Sequence, residues 1–142
     1  MPPFGASLIL AKKKYKKQLQ QPCPCGSGRE YSDCCLPLHQ GQAAADPESL
    51  MRSRYTAFVL ELEDYLLASW HPSTRPTDLD LQNSPKWARL EVVSSHTEGA
   101  RGQVHFRAYY RSNQGMQVME EKSEFSKEGG HWFYLKGNPR PR

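Results

Sequence analysis

The four cysteines are the feature of this 142-residue chain that most restricts its fold. All of them lie within 13 residues: Cys23, Cys25, Cys34 and Cys35. Gly26 and Gly28 stand between the two pairs and allow the backbone to turn back sharply. Zn²⁺ takes about four thiolate or imidazole ligands in a tetrahedron. The spacing therefore predicts a small knuckle closed around one structural zinc ion, with no coordination position left open for catalysis.

Three alternatives to a four-cysteine zinc site stay open at this stage: disulfide bonds, inert buried cysteines, and His39 in place of one cysteine ligand. The apolar residues 4–11 precede the lysines, which is the reverse of a secretory signal. We therefore expect a cytoplasmic protein with reduced thiols. Adjacent Cys34 and Cys35 also cannot easily bond to one another, so zinc is the favoured interpretation.

The formal net charge of +4 first suggests a nucleic-acid binder. However, seven of the 19 basic residues lie in residues 1–22 and 138–142, which contain no acid. The body keeps 12 basic residues against all 15 acidic ones, a net charge of −3. A weak RNA contact is therefore expected only through the segment Lys12–Lys17. No apolar run approaches the roughly 18 residues of a membrane span.

Composition and turn signals predict four segments. Residues 1–21 are a basic and flexible N-terminal segment, and residues 22–40 are the zinc-binding knuckle. A Gly/Ala/Gln linker leads to a domain over residues 46–137, and residues 138–142 are a basic tail. Asp46 is a good N-cap with Pro47 at the first helical position, so the domain should begin with a helix.

The domain changes from helical to strand periodicity along its length. Met51, Tyr55, Phe58 and Leu62 recur at helical spacing, and a second helix is expected after a bend near residues 61–64, ending at His71. Four strand-like runs follow at residues 87–96, 103–111, 116–127 and 131–136, separated by glycine-containing turns. This order predicts an α+β fold with helices on one face of an antiparallel sheet.

Alternation along the second strand run predicts which side chains face the helices. The inward set is apolar or aromatic: Val104, Phe106, Ala108 and Tyr110. His105 and Tyr109 then lie outside. In the third run Glu121 shares a face with apolar residues, so its carboxylate should point inward.

A buried carboxylate needs a partner, and Arg52 or Arg54 on the first helix is the expected one for Glu121. Such a pair has two interpretations. It could anchor a ligand pocket with His71 and Trp87 near its mouth, or it could be a structural ion pair that connects the helix to the sheet. The sequence favours the structural interpretation. The sequence has no recognisable nucleophile–base pair or phosphate-binding glycine loop, so no catalytic residue is predicted.

Two sets of motifs resemble known families. Residues 23–28, Cys-Pro-Cys-Gly-Ser-Gly, with Tyr31 and Cys34-Cys35, resemble the SEC-C zinc motif of the SecA translocase ATPase. The segments 50–58, 64–66, 70–74, 121–125 and 132–134 resemble the YchJ family of small bacterial proteins. That resemblance implies a nuclear transport factor 2-like domain, a cone of curved antiparallel sheet covered by helices.

The resemblance also implies a function class. SEC-C modules suggest docking to the export chaperone SecB or to the ribosome, so we expect a non-enzymatic, zinc-binding interaction protein. A small rigid knuckle suits docking because preorganisation lowers the entropic cost of binding. The alternative is a small-molecule-binding protein or enzyme that uses the cone pocket.

Overall fold

The computed structural model describes residues 13–139, so the predictions for Lys12 and the basic tail from Arg140 lie outside the described residues. The helices are α1 (Lys13–Gln18), a 3₁₀ turn (Tyr31–Asp33), α2 (Leu36–His39), α3 (Pro47–Leu60), α4 (Glu63–Ala68) and a second 3₁₀ turn (Leu81–Asn83). The strands are β1 (Lys86–Glu98), β2 (Arg101–Ser112), β3 (Gly115–Glu128) and β4 (His131–Pro139).

Helix α3 begins as predicted. The Asp46 side chain accepts a hydrogen bond from the backbone N–H of Ser49 at 2.7 Å, and Pro47 occupies the first turn. The helix ends at Glu61, which takes a left-handed conformation with φ of 59°. This residue makes the bend from which α4 departs.

The four strands form one antiparallel sheet in the order β1-β2-β3-β4. Register shifts interrupt the β1–β2 pairing twice and the β3–β4 pairing once. Such bulges bend a sheet and increase its twist. The predicted α+β class and meander are confirmed. Every strand extends beyond the run predicted for it, because hairpin residues also pair and β4 continues beside β3 to Pro139.

The inner face of the sheet carries the core against α3. Val104, Phe106 and Ala108 are buried, as alternation predicted. The first turn of α3 packs directly on β2 at Gly102, where an added Cβ would lie 2.2 Å from the Pro47 ring. Only glycine permits this close approach.

The outer face carries an ion network and confirms the outward position of His105 and Tyr109. Arg107 lies 3.3 Å from both Glu91 and Glu120. His105 contacts Glu120 at 2.5 Å, and the Tyr109 hydroxyl donates to Glu91. Among the described residues, no helix is both long and apolar enough to cross a membrane.

Backbone hydrogen bonds connect the end of the predicted segment 1–21 to the knuckle. The backbone N–H of Ser32 donates to the Leu19 carbonyl at 3.1 Å, and that of Tyr31 donates to Gln21 at 3.0 Å. Residues 19–21 thus supply backbone acceptors for two N–H groups of the knuckle.

Candidate metal centre and cavity

A tight hairpin brings the two cysteine pairs together. The backbone N–H of Cys23 donates to the Arg29 carbonyl at 2.8 Å, and that of Gly26 donates to Cys23 at 3.1 Å. Gly26 and Gly28 have φ values of 81° and 91°, a region that favours glycine. The hairpin therefore needs both glycines where the sequence has them.

The four cysteine sulfurs lie within 4.8 Å of one another. The Sγ atoms of Cys25 and Cys34 are 3.6 Å apart, and those of Cys34 and Cys35 are 4.0 Å apart. With a Zn–S bond of about 2.3 Å, a regular tetrahedron has sulfurs about 3.8 Å apart. All four thiols are free of disulfides. The cluster could thus hold one metal ion, and its donor set and spacing fit zinc.

The thiols in this cluster cannot all ionise independently. Hydrogen bonding to Cys25 raises the pKa of Cys23 to about 11, while the hydrogen bonds from Cys23 and Cys35 lower the pKa of Cys25. A bond from Cys35, helped by Ser27, lowers the pKa of Cys34 to about 6. A divalent cation would resolve this conflict because it stabilises every neighbouring thiolate.

Polar groups outside the cluster support its negative charge. Arg29 Nη2 lies 3.8 Å from Cys34 Sγ, and the Ser27 hydroxyl lies 3.0 Å from the same sulfur. Arg52 donates to the Cys25 carbonyl at 2.6 Å and to Glu48 at 3.0 Å. Arg52 therefore braces the knuckle, and the prediction that it could reach Glu121 is wrong.

His39 is not a metal ligand, because both ring nitrogens are occupied. Its Nε2 donates to the Ser53 carbonyl at 2.9 Å, and its Nδ1 accepts from the Tyr31 hydroxyl at 2.7 Å. The side chain is fully buried, and burial lowers its pKa to about 4. Neutral His39 thus connects the knuckle to α3, a role that no local sequence pattern indicates.

A cavity of about 200 Å³ lies between α3 and the inner face of the sheet. Its lining is largely apolar and aromatic: Met51, Tyr55, Phe58, Trp70, Trp87, Phe106, Ala108 and Met119. The remaining lining residues carry polar groups: Arg54, Glu121, Ser123 and Tyr134. Of the predicted pocket residues, Arg54, Trp87 and Glu121 line the cavity.

His71, which was predicted near the mouth of the pocket, is not among the residues that line the cavity. Its backbone N–H donates to the Tyr134 carbonyl at 2.7 Å, which fixes the residue at the edge of β4. Its ring then contacts Glu128 at 2.5 Å and Ser73 at 2.7 Å. These contacts hold the ring beside Glu128 and Ser73, which do not line the cavity either.

The expected ion pair between Glu121 and Arg54 is also absent from the described residues. Arg54 Nη1 donates to the Leu66 carbonyl at 2.8 Å and to Ser69 at 2.6 Å. Its guanidinium lies over the rings of Trp70 and Tyr134, 4.9 and 4.4 Å from their centroids. The Leu66 carbonyl and the Ser69 hydroxyl at the C-terminal end of α4 bind this cation, which explains why it does not pair with Glu121.

Glu121 is a partly buried carboxyl group with a single protein hydrogen bond among the described residues. Ser123 donates to it at 3.2 Å, and burial raises its pKa. Gly137 of β4 packs against the carboxyl group, since an added Cβ would lie 2.2 Å from Oε2. Gly137 lies just after the predicted run 131–136, so this close approach was not predicted from the sequence; a glycine in a strand often marks one.

We expect Glu121→Gln to stabilise the protein at pH 7. A raised pKa means that the folded protein retains this proton to higher pH than the unfolded chain does. Stability therefore falls as pH rises from about 4.3, the ordinary glutamate value, to the raised folded value. Thermal unfolding should show a higher midpoint for the variant at pH 7 and a vanishing difference near pH 4.

The matched control is Glu124→Gln on the same strand, because Glu124 instead accepts from Asn138 at the surface. This variant should show no stabilisation at pH 7. A Glu121→Gln protein less stable than the wild type at pH 7 would contradict the assignment of an energetically unfavourable buried carboxylate.

Comparison with known proteins agrees with this architecture. A family model described as "YchJ, middle NTF2-like domain" matches residues 46–137, and a SEC-C motif model matches residues 21–37. A UPF0225 protein of Xanthomonas campestris pv. campestris is 49% identical over 118 residues, covering 80% of this chain and 92% of that protein. A UPF0225 protein of Streptomyces coelicolor is 44% identical over 120 residues, covering 82% of this chain and 94% of that protein.

Two solved structures have the same fold. The solution structure of a SEC-C motif containing protein from Rhodopseudomonas palustris has a TM-score of 0.77 at 36% identity, covering 85% of this chain and 100% of that one. The crystal structure of a SEC-C motif containing protein from Psychrobacter arcticus has a TM-score of 0.73 at 28% identity, covering 89% of this chain and 86% of that one. The chain therefore belongs to the YchJ (UPF0225) family, with a SEC-C motif preceding an NTF2-like domain.

Proposed function

We propose that this protein is a cytoplasmic, zinc-binding interaction protein whose knuckle is a docking module rather than a catalytic centre. The observation that carries the proposal is the group of four cysteine sulfurs within 4.8 Å. Four protein ligands fill a tetrahedral zinc site, so the ion would supply folding energy and leave no position for substrate. Cytoplasmic conditions would keep the thiols reduced.

The exposed surface of the knuckle supports docking. Residues 26–30 are exposed at the tip of the hairpin, and this segment includes Arg29. Lys16 and Lys17 are exposed on the adjoining helix α1. His39 and Arg52 fix this surface to the domain, so little conformational entropy would be lost on binding. We propose SecB or the ribosome as the partner, on the basis of the SEC-C motif.

Direct binding to purified SecB and to purified ribosomes tests this proposal. The wild-type protein should bind one of them, and Cys34→Ser should lose that binding because the knuckle no longer folds. Glu124→Gln is the control, since its side chain lies on the sheet, and it should bind normally. Failure of the wild-type protein to bind either partner would contradict the docking proposal.

The salt dependence of ribosome binding tests the weak RNA contact proposed for Lys12–Lys17. Replacing Lys16 and Lys17 by glutamine removes two cations from the exposed face of α1. If both contact phosphate, the slope of log K against log salt should fall in magnitude by roughly 1.5. An unchanged slope in co-sedimentation would show that these lysines make no RNA contact.

A second function, small-molecule binding, is favoured by the cavity in the NTF2-like domain. Aromatic walls and a few polar groups that line one cavity are typical of ligand sites. This function is independent of the knuckle's docking role. The cavity variant Ala108→Leu, which places a larger side chain on its wall, should abolish ligand binding without changing zinc content.

A further inference from the structure

The polar groups of the cavity point to the class of ligand that it would bind, an inference that rests on the proposed small-molecule function. Arg54 lines the cavity, and only its Nη1 group has protein acceptors among the described residues. Its Nε and Nη2 groups remain as donors. Burial lowers the pKa of Arg54 to about 10, so the guanidinium stays charged at neutral pH.

The other titratable groups in the cavity do not make its net charge negative. Burial raises the pKa values of Tyr55 and Tyr134 to about 12, so both phenols are neutral. Glu121 faces Ser123 on its own strand and Tyr134 on β4, and burial raises its pKa. With Glu121 protonated the cavity has one positive charge, and with Glu121 ionised it has none. Neither state favours a cationic ligand.

We infer that the cavity binds a small organic anion, a monocarboxylate with an aromatic or branched apolar body, whose carboxylate accepts hydrogen bonds from Arg54. Protonated Glu121 would present a neutral donor to the same ligand instead of a competing charge. The apolar body would pack on the ring of Trp87 and on Phe106 of the sheet.

The volume limits the size of this ligand. A cavity of about 150 Å³ can hold benzene, so a volume of about 200 Å³ admits one ring with a carboxylate attached. Benzoate is therefore a suitable probe. Benzyl alcohol and benzylamine have a similar body with a neutral and a cationic head, so the three compounds separate the contribution of charge from that of apolar burial.

The test is calorimetric titration of the full-length protein with each probe at several pH values. At pH 6, we expect benzoate to bind about tenfold more tightly than benzyl alcohol, the order expected for one charge-assisted hydrogen bond. Benzylamine should bind most weakly. Benzoate affinity should fall as pH rises, because ionised Glu121 repels the ligand. Glu121→Gln should remove most of this pH dependence and bind benzoate more tightly than wild type at pH 8.

Two further variants keep the test decisive. Arg54→Met should lose the preference for benzoate over benzyl alcohol; if it fails to fold, the Glu121→Gln comparison still decides. Ala108→Leu should lose benzoate binding. Equal binding of benzoate and benzyl alcohol, or tighter binding of benzylamine, would overturn the anion inference but leave small-molecule binding intact. Failure of all three probes to bind would overturn both.

Discussion

The Cys25→Ser protein is expected to purify with almost no zinc and with an unfolded knuckle. Cys25 is completely buried, and its sulfur lies 3.6 Å from Cys34 Sγ. A serine hydroxyl stays protonated and is a poor zinc ligand, so the site would lose one of its four ligands. Binding of structural zinc contributes about 10 kcal/mol or more in small domains, and folding depends on it.

Elemental analysis and amide hydrogen exchange together measure this result. Zinc should fall from about one per chain to near zero, and the amides of Tyr31 and Ser32 should lose their protection. Ser27→Ala is the matched control, because Ser27 contacts Cys34 without belonging to the sulfur cluster. This control should keep its zinc. A Cys25→Ser protein that retained one zinc per chain would refute the four-cysteine site.

The second large effect is expected for His39→Ala, which should reduce the free energy of unfolding by about 3 kcal/mol while leaving zinc in place. The substitution opens a cavity at a fully buried position and leaves the Tyr31 hydroxyl and the Ser53 carbonyl without the bonds that His39 makes. These bonds connect the knuckle to α3. Their loss should therefore weaken the attachment between the two modules.

Urea unfolding at a fixed excess of zinc measures the decrease in the free energy of unfolding. His39→Gln is the matched variant. A glutamine amide can still donate to the Ser53 carbonyl, so this protein should recover part of the stability. Both variants should bind one zinc per chain. Loss of zinc from His39→Gln would indicate that His39 is a ligand. An unchanged free energy of unfolding for His39→Ala would contradict the proposal that His39 stabilises the contact between the knuckle and α3.

Much of the architecture was predictable from local patterns. The pairing of Cys23 and Cys25 with Cys34 and Cys35 across two glycines indicated the knuckle, and the capping residue Asp46 marked the start of α3. Alternation along β2 placed Phe106 inside and His105 outside. Each of these predictions depends on the geometry of one turn, one helix end or one strand, which the nearby sequence largely determines.

The partners of the charged groups were not predictable in the same way. Arg52 and Arg54 are two positions apart on one helix and therefore face different directions, Arg52 toward the knuckle and Arg54 toward the end of α4. A backbone bond holds His71 on β4, and its ring contacts Glu128 rather than the cavity lining. These outcomes depend on contacts between elements distant in sequence, which local periodicity does not specify.

Zinc K-edge absorption spectroscopy of the freshly purified, reduced protein would identify the ligands of the bound metal. We expect about one zinc ion per chain with four sulfur neighbours at about 2.3 Å and no nitrogen or oxygen neighbour. The sulfur cluster of Cys23, Cys25, Cys34 and Cys35 supplies those four atoms. A spectrum with a nitrogen or oxygen ligand, or protein without bound zinc, would contradict the four-cysteine zinc site.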